Sequence, residues 1–170
     1  MNKVFIKQIE EWTERRINNI LFDSDKDDWS KNTSVFEERI WNKEHIIIII
    51  ADDEGNKFGG YVIEKINKVD EWIYDSHSFV FSLESNGRIE GMMKFDIKQP
   101  EYAFYLCNQS SDCLFAFGYY GDISVGKENN KTESYCYQHS FKYKGISNAL
   151  CGKQLPERFT PKRIIVIEMK

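Results

Sequence analysis

The chain of 170 residues is 41% hydrophobic, 15% aromatic and 29% charged with a net charge of -4, which excludes a disordered chain and suits one domain with a sizeable core. It has no apolar run of about 20 residues that could span a bilayer, and the charges within residues 1–21 argue against a secretory signal peptide. We therefore expect a globular protein of the cytoplasm, or of the nucleus, that does not insert into membranes.

An amphipathic helix is predicted over residues 2–22. Apolar side chains recur there at intervals typical of the buried face of a helix, at Phe5, Ile9, Trp12, Ile17, Ile20 and Leu21. An acidic, polar loop over residues 23–31 ends this helix. We expect residues 1–32 to form a helix and an acidic loop that pack on a second unit, residues 33–170, or that connect it to a larger assembly.

The strongest strand signal is a run of five isoleucines from Ile46 to Ile50. β-Branched side chains favour strands, and an unbroken apolar run indicates a strand that is covered on both faces. A short helix is predicted just before this strand, because Ser34 and Glu37 have the spacing of a capping box. We expect that helix to extend through Trp41.

The next strand contains two adjacent glycines, Gly59 and Gly60. Gly55 and Asn56 predict the turn that precedes it, since both residue types tolerate a positive φ. Glycine inside a strand loses packing and costs entropy. The pair therefore indicates a close backbone approach or a bulge, unless it simply eases a bend.

The second half of the chain is predicted to consist of short strands separated by turns. Strands at 78–83 and 89–97 flank the hairpin signal Asn86-Gly87, and Trp72 in a polar connector is expected to cover the core. Further strands are predicted at 102–107, 113–118, 118–126, 134–138 and 162–169. This pattern predicts an α+β, β-rich fold: a sandwich of two antiparallel sheets flanked by helices, with an N-terminal amphipathic helix.

An ordered set of segments carries a family resemblance: Phe58-Gly-Gly-Tyr61, Ser78–Leu83, Leu114–Gly118 with Asp122–Val125, Ser134–Phe141 and Ile164–Glu168. Together they resemble the TLDc domain of the TBC/LysM-associated, oxidation-resistance family, over roughly residues 35–169. The resemblance implies a β-sandwich of two antiparallel sheets flanked by helices. It also implies a role in protection against oxidative stress and, for several members, binding to the peripheral part of the vacuolar proton pump, without an established catalytic machinery.

The residues themselves predict no catalytic, cofactor or metal site. A cysteine and a histidine in contact can form a nucleophile with its base, and Cys136 and His139 are only three positions apart. In a strand, however, an odd separation places their side chains on opposite faces, which works against such a contact. No Gly-x-Ser-x-Gly elbow, phosphate loop or dinucleotide fingerprint occurs, and Cys107 and Cys113 lack the Cys-x-x-Cys spacing of zinc ligands. We expect all four cysteines, including Cys151, to be reduced thiols. The alternative is that one of these cysteines is a redox-sensing thiol, which requires exposure to solvent and a lowered pKa.

Partner contacts are expected on loops, which tolerate variation and commonly carry recognition. The loops considered span residues 52–57, 118–122 and 126–133. The interaction residues predicted within them are Gly118, Tyr119, Tyr120 and Asp122. We expect a protein partner, with subunits of the vacuolar proton pump as candidates.

Binding of nucleic acid is the alternative function. Residues 127–170 contain 9 basic and 4 acidic side chains, whereas residues 1–126 contain 14 basic and 23 acidic ones. Such a split is typical either of a solvated surface or of a face that meets phosphate. The residues predicted for a basic face, interleaved with tyrosines, are Lys142, Lys144, Arg158, Lys162 and Arg163.

Overall fold

Ten strands form two antiparallel sheets in the computed structural model, which describes residues 1–170. The helices are α1 (Lys3–Thr13) and α2 (Phe36–Ile40), and neither is long and apolar enough to cross a membrane. A 3-10 helix spans Pro100–Tyr102. The strands are β1 (Ile17–Asp23), β2 (Ile46–Asp52), β3 (Lys57–Val62), β4 (Trp72–Ile73), β5 (Phe79–Glu84), β6 (Met93–Asp96), β7 (Phe104–Leu106), β8 (Cys113–Phe117), β9 (Ile123–Gly126) and β10 (Pro161–Met169).

The strand order places the isoleucine strand in the middle of the larger sheet. This six-stranded sheet has the order β1-β10-β2-β3-β5-β6, and the four-stranded sheet has the order β4-β7-β8-β9. All hydrogen-bonded strand pairs are antiparallel. The predicted sandwich of two antiparallel sheets flanked by helices is therefore confirmed.

Both faces of β2 are covered, as the unbroken apolar run predicts. Ile46, Ile48 and Ile50 belong to the main core between the two sheets. Ile47 and Ile49 belong to a second apolar cluster that includes Ile9 of α1 and its partly buried neighbours Phe5 and Trp12. The alternating strand periodicity thus sends one set of isoleucines to the opposite sheet and the other set to the N-terminal helix.

The two glycines of β3 mark close approaches between chain segments. A Cβ on Gly59 would lie 1.8 Å from the backbone oxygen of Ile48, and a Cβ on Gly60 would lie 2.5 Å from the ring of Phe117 in the facing sheet. The register of β3 against β2 runs without interruption, so no bulge separates this strand pair. Glycine is required here because any side chain would collide with its neighbours.

The helix predicted over residues 2–22 is wrong beyond residue 13. Helix α1 ends at Thr13, and Glu14 adopts a left-handed conformation with φ of 55°. Residues 17–23 form β1 instead and pair with β10 in the larger sheet. Two β-branched isoleucines and two asparagines make this stretch a poor helix, so pairing with an available sheet edge decides its conformation.

The later elements depart from the prediction in two further places. Residues 134–138 do not form a strand, since only Tyr135 makes a bridge, to Ser124 of β9. The capping-box helix is limited to the five residues of α2, although the Ser34 hydroxyl does accept a hydrogen bond from the Phe36 N–H at 3.1 Å. The β5–β6 hairpin has the predicted turn, with positive φ at Asn86 and Gly87.

Candidate functional site

The outer face of the four-stranded sheet forms an open groove with a volume of about 900 Å³. We call it the aromatic groove, after the six aromatic side chains that line it: Trp72, Tyr105, Tyr119, Tyr120, Tyr135 and Tyr137. A volume of this size is at the upper end of the range for ligand pockets. The groove is therefore large enough for a segment of another chain.

The floor of the aromatic groove is a single row of residues across the sheet. Trp72 of β4 is the register partner of Tyr105 in β7, which pairs with Ala116 in β8. Ala116 in turn pairs with Ser124 in β9, and Ser124 bridges to Tyr135. Because side chains alternate along strands, this row faces outward while the neighbouring positions face the core.

The turn between β8 and β9 supplies the most exposed part of the aromatic groove. Tyr119 is 47% exposed and Tyr120 is 50% exposed. The ring centroid of Tyr119 lies 4.5 Å from that of Tyr102 and 4.8 Å from that of Tyr120, which in turn lies 5.4 Å from that of Tyr137. These rings form one continuous aromatic surface that reaches solvent.

Asp122 supports this turn from beneath. Its buried carboxylate accepts hydrogen bonds from the backbone N–H groups of His139 at 2.9 Å and Ser140 at 3.0 Å, and from the Tyr143 hydroxyl at 2.7 Å. Burial raises the pKa of Asp122 despite these donors. Gly118 has φ of 87°, and a Cβ there would lie 2.0 Å from an Asp122 oxygen. Both residues are needed to shape the turn.

The charged residues that line the aromatic groove are both acidic, Asp70 and Glu133. The Asp70 carboxylate accepts hydrogen bonds from the backbone N–H of Asn108 at 3.0 Å and from its side-chain amide at 2.7 Å. Neither carboxylate has a lysine or arginine partner within salt-bridge distance. The groove therefore combines aromatic rings with two carboxylates that form no salt bridge within the chain.

The TLDc domain model matches residues 1–164, nearly the whole chain. The chain belongs to the TLDc domain family. The match confirms the resemblance seen in the ordered segments of the sequence. No curated protein is similar enough in sequence to count as a relative of this chain.

One end of the groove in this TLDc domain is closed by a disulfide between Cys107 and Cys113, with 5.7 Å between their Cα atoms. The prediction of four reduced thiols is wrong for this pair, because the β7–β8 hairpin brings the two residues together. The intervening loop is fixed by Lys127, whose buried ammonium donates to the carbonyl oxygens of Asn108 at 2.7 Å and Ser111 at 2.7 Å, and to that of Gln109 at 3.0 Å.

Cys136 and His139 lie in different surroundings in this TLDc domain. Cys136 is buried in the main core, as is Cys151, and burial raises the pKa of the Cys136 thiol. The His139 ring packs edge-on against the exposed Tyr120, with centroids 4.6 Å apart. Its Nδ1 is buried without a hydrogen-bond partner. No group of three or more histidine, cysteine or acidic side chains is placed to hold a metal ion.

The predicted interaction residues are divided between the surface and the interior. Gly118, Tyr119 and Tyr120 line the aromatic groove, whereas Asp122 is fully buried below it. Trp72, predicted to cover the core, instead has a half-buried ring that lines the groove, with its centroid 5.0 Å from that of Tyr105. The alternation of Tyr105 with apolar neighbours could have indicated that its ring faces outward. The register that aligns Tyr105 with Trp72 cannot be read from the sequence.

The residues predicted for a basic face do not share one depression of the surface. Lys142 lies beside Tyr143 in one depression, and Arg158 and Lys162 line another. Lys144 is exposed at a left-handed position after Tyr143. Arg163 lies on β10, where its guanidinium forms a bidentate pair with Asp23 at 3.1 Å and 2.7 Å. No single depression contains all five predicted residues: Lys142, Lys144, Arg158, Lys162 and Arg163.

Proposed function

We propose that this TLDc domain is a non-catalytic protein-interaction module in the oxidative-stress response, and that the aromatic groove is its docking surface. The observation that supports this proposal is the half-exposed pair Tyr119 and Tyr120 within a continuous aromatic surface. Tyrosine and tryptophan are enriched at protein interfaces, because their rigid rings bury a large area at low entropic cost.

The supporting framework of the groove also favours a binding role. Its floor is built on strands, and its exposed turn is held by the buried Asp122 carboxylate and by the Ser140 hydroxyl, which accepts the Tyr119 N–H at 2.9 Å. A surface that is fixed before binding loses less entropy when a partner docks. An exposed aromatic patch without such support would lose more of its contact energy in becoming ordered.

The candidate partner is the peripheral part of the vacuolar proton pump, which the family resemblance suggests. Binding of this TLDc domain to the purified peripheral part is measured by biolayer interferometry, for the wild type and for the double variant Tyr119→Ala/Tyr120→Ala. Loss of two interface aromatic rings is expected to weaken binding by at least about 30-fold, which corresponds to the loss of about 2 kcal/mol that defines a single hot-spot residue.

The matched control is Tyr74→Ala, because Tyr74 is 60% exposed but does not line the aromatic groove. We expect this control to bind like the wild type. Equal binding by the control and the double variant would refute the groove as the docking surface. Absence of any binding to the pump would instead remove that partner and leave the interaction role to be tested by photo-crosslinking from position 120.

The stress role is tested in cells that lack the protein. We expect the wild-type chain and Tyr74→Ala to restore survival in hydrogen peroxide, and Tyr119→Ala/Tyr120→Ala to fail at equal protein level. Replacing Cys136 and His139 with alanine tests the non-catalytic part of the proposal, and we expect survival to be kept when the variant folds. Loss of survival in that folded variant, with partner binding intact, would contradict it.

We further propose that the protein acts in the cytoplasm, or in the nucleus. These compartments usually keep thiols reduced, so this location requires the Cys107–Cys113 pair to open in cells or to be protected there. Alkylation before lysis followed by mass spectrometry distinguishes the two states.

The nucleic-acid alternative has less support, because Arg163 forms a salt bridge with Asp23 and lies apart from Lys142. Salt-dependent retention on a polyanion column would revive it.

A further inference from the structure

We propose that the aromatic groove binds a segment of the partner protein that carries arginine side chains. This inference rests on the proposed function and adds the chemistry of the ligand. It follows from the pairing of aromatic ring faces with carboxylates in a groove that has no basic residue in its lining. A guanidinium group uses both features, by stacking on a ring and by donating to a carboxylate.

The charge of the groove selects a cation. Asp70 and Glu133 are the charged residues of its lining, and neither forms a salt bridge within the chain. Lys127 lies buried behind the Asp70 end, where it holds the carbonyl oxygen of Asn108, and its charge offsets part of that of Asp70. Glu133 is therefore the carboxylate that we assign to the incoming guanidinium.

The surroundings of Glu133 leave its carboxylate available. Arg158, which reaches this segment from the loop before β10, donates to the backbone oxygens of Thr132 at 2.9 Å and Pro156 at 2.6 Å. Glu133 is held through its backbone N–H, which donates to the Asn130 side chain at 2.8 Å. The main chain is thus fixed while the carboxylate has no hydrogen-bond partner in the chain.

The ring faces of the groove are also unoccupied by cations of the protein itself. The two cation–π contacts in the structure are Lys57 over Phe5 and Lys94 over Phe79, both on the opposite side of the larger sheet. The tyrosine hydroxyls that hydrogen-bond within the chain are those of Tyr61 and Tyr143, so the hydroxyls of the groove tyrosines can accept from an arginine. Arginine is expected to bind more tightly than lysine here, because its planar guanidinium can stack on a ring and donate two hydrogen bonds to a carboxylate at the same time.

The test is a titration of the protein with a hexa-arginine peptide at 0.15 M salt, measured by isothermal titration calorimetry. We expect hexa-arginine to bind at least about threefold more tightly than hexa-lysine. Tyr120→Ala and Glu133→Gln are each expected to weaken hexa-arginine binding about fivefold, which is the scale of one cation–π contact or one charge-assisted hydrogen bond. Heteronuclear NMR spectra of each variant establish that the fold is retained.

Matched controls separate the groove from the general acidity of the chain. Glu90→Gln removes the same charge from an exposed side chain outside the groove, and Tyr74→Ala removes an exposed ring outside it. Both controls are expected to change hexa-arginine binding by less than about twofold. Equal losses in Glu90→Gln and Glu133→Gln, or no binding of hexa-arginine, would overturn the proposal.

The outcomes also separate this inference from the proposed function. If Tyr119→Ala/Tyr120→Ala loses the partner protein but hexa-arginine does not bind the wild type, the groove docks a partner of other chemistry and only this inference fails. If the partner binds that double variant normally, the groove is not the docking surface and the proposed function fails, whatever hexa-arginine does.

Discussion

Removal of the Asp122 side chain is expected to be among the most damaging single changes to the aromatic groove. In Asp122→Ala, the N–H groups of His139 and Ser140 and the hydroxyl of Tyr143 all lose their acceptor. Each buried donor without a partner costs about 1–3 kcal/mol. Because the site is fully buried, water compensates little, and we expect the free energy of unfolding to fall by about 4 kcal/mol.

The measurement is urea denaturation at pH 7, followed by tryptophan fluorescence. Asp122→Asn keeps the volume and one acceptor oxygen, so a smaller loss of about 2 kcal/mol is expected. Asp112→Ala is the matched surface control, since its side chain is 56% exposed and pairs only with Lys31 at 3.1 Å. Such a pair contributes little, and the control should change stability by less than about 0.5 kcal/mol.

The pH dependence gives a second reading of the same residue. Burial raises the pKa of Asp122 above its usual 3.8, so the native state binds this proton more tightly than the unfolded chain does. The wild type therefore loses stability relative to Asp122→Asn as pH rises from about 3.8 through the raised pKa.

In the urea experiment at pH 7, a loss in Asp122→Ala no larger than that in Asp112→Ala would refute the reasoning, because it would show that the donors find other partners.

Three further predictions concern the rest of the fold. Gly60→Ala puts a Cβ 2.5 Å from a phenylalanine ring of the facing sheet, so we expect a loss of about 2–3 kcal/mol by calorimetry. Lys127→Met leaves the Ser111 carbonyl oxygen without a donor and removes one of the two donors to the carbonyl oxygens of Asn108 and Gln109, and urea denaturation should show a loss of about 2 kcal/mol, against less than about 0.5 for Lys131→Met. Arg163 lowers the pKa of Asp23, so Asp23→Asn should cost about 1 kcal/mol at pH 7, and this deficit should disappear as pH falls below 3.8 through the lowered pKa.

The elements that could be predicted are those whose signal is local. Isoleucine is β-branched and favours a strand, and five in succession leave no polar side chain for a solvent-exposed face. A strand with two covered faces was therefore predictable from residues 46–50 alone. The left-handed residues Asn86 and Gly87 likewise marked their hairpin. The second half of the predicted helix failed, because residues 17–23 have an apolar spacing that fits either period, and the free edge of β10 selected the strand.

The candidate site was predicted only in its exposed turn. Tyr119 and Tyr120 stood out because they lie between glycines in a loop. Trp72, Tyr105 and Tyr135 are separated by tens of residues along the chain, and only the strand register places them in one row. The alternation around Tyr105 is a local signal that its ring faces away from its buried neighbours, but no local signal places the rings of Trp72 and Tyr135 beside it.

Local chemistry in the sequence determined that residues 46–50 form a strand with two covered faces and that the chain turns at Asn86 and Gly87. The tertiary structure alone decided which sheet each strand joins, which aromatic rings share a face, and that Cys107 meets Cys113. The physical reason is that backbone conformation depends on a few neighbouring residues, whereas a shared face depends on pairing between strands far apart in sequence.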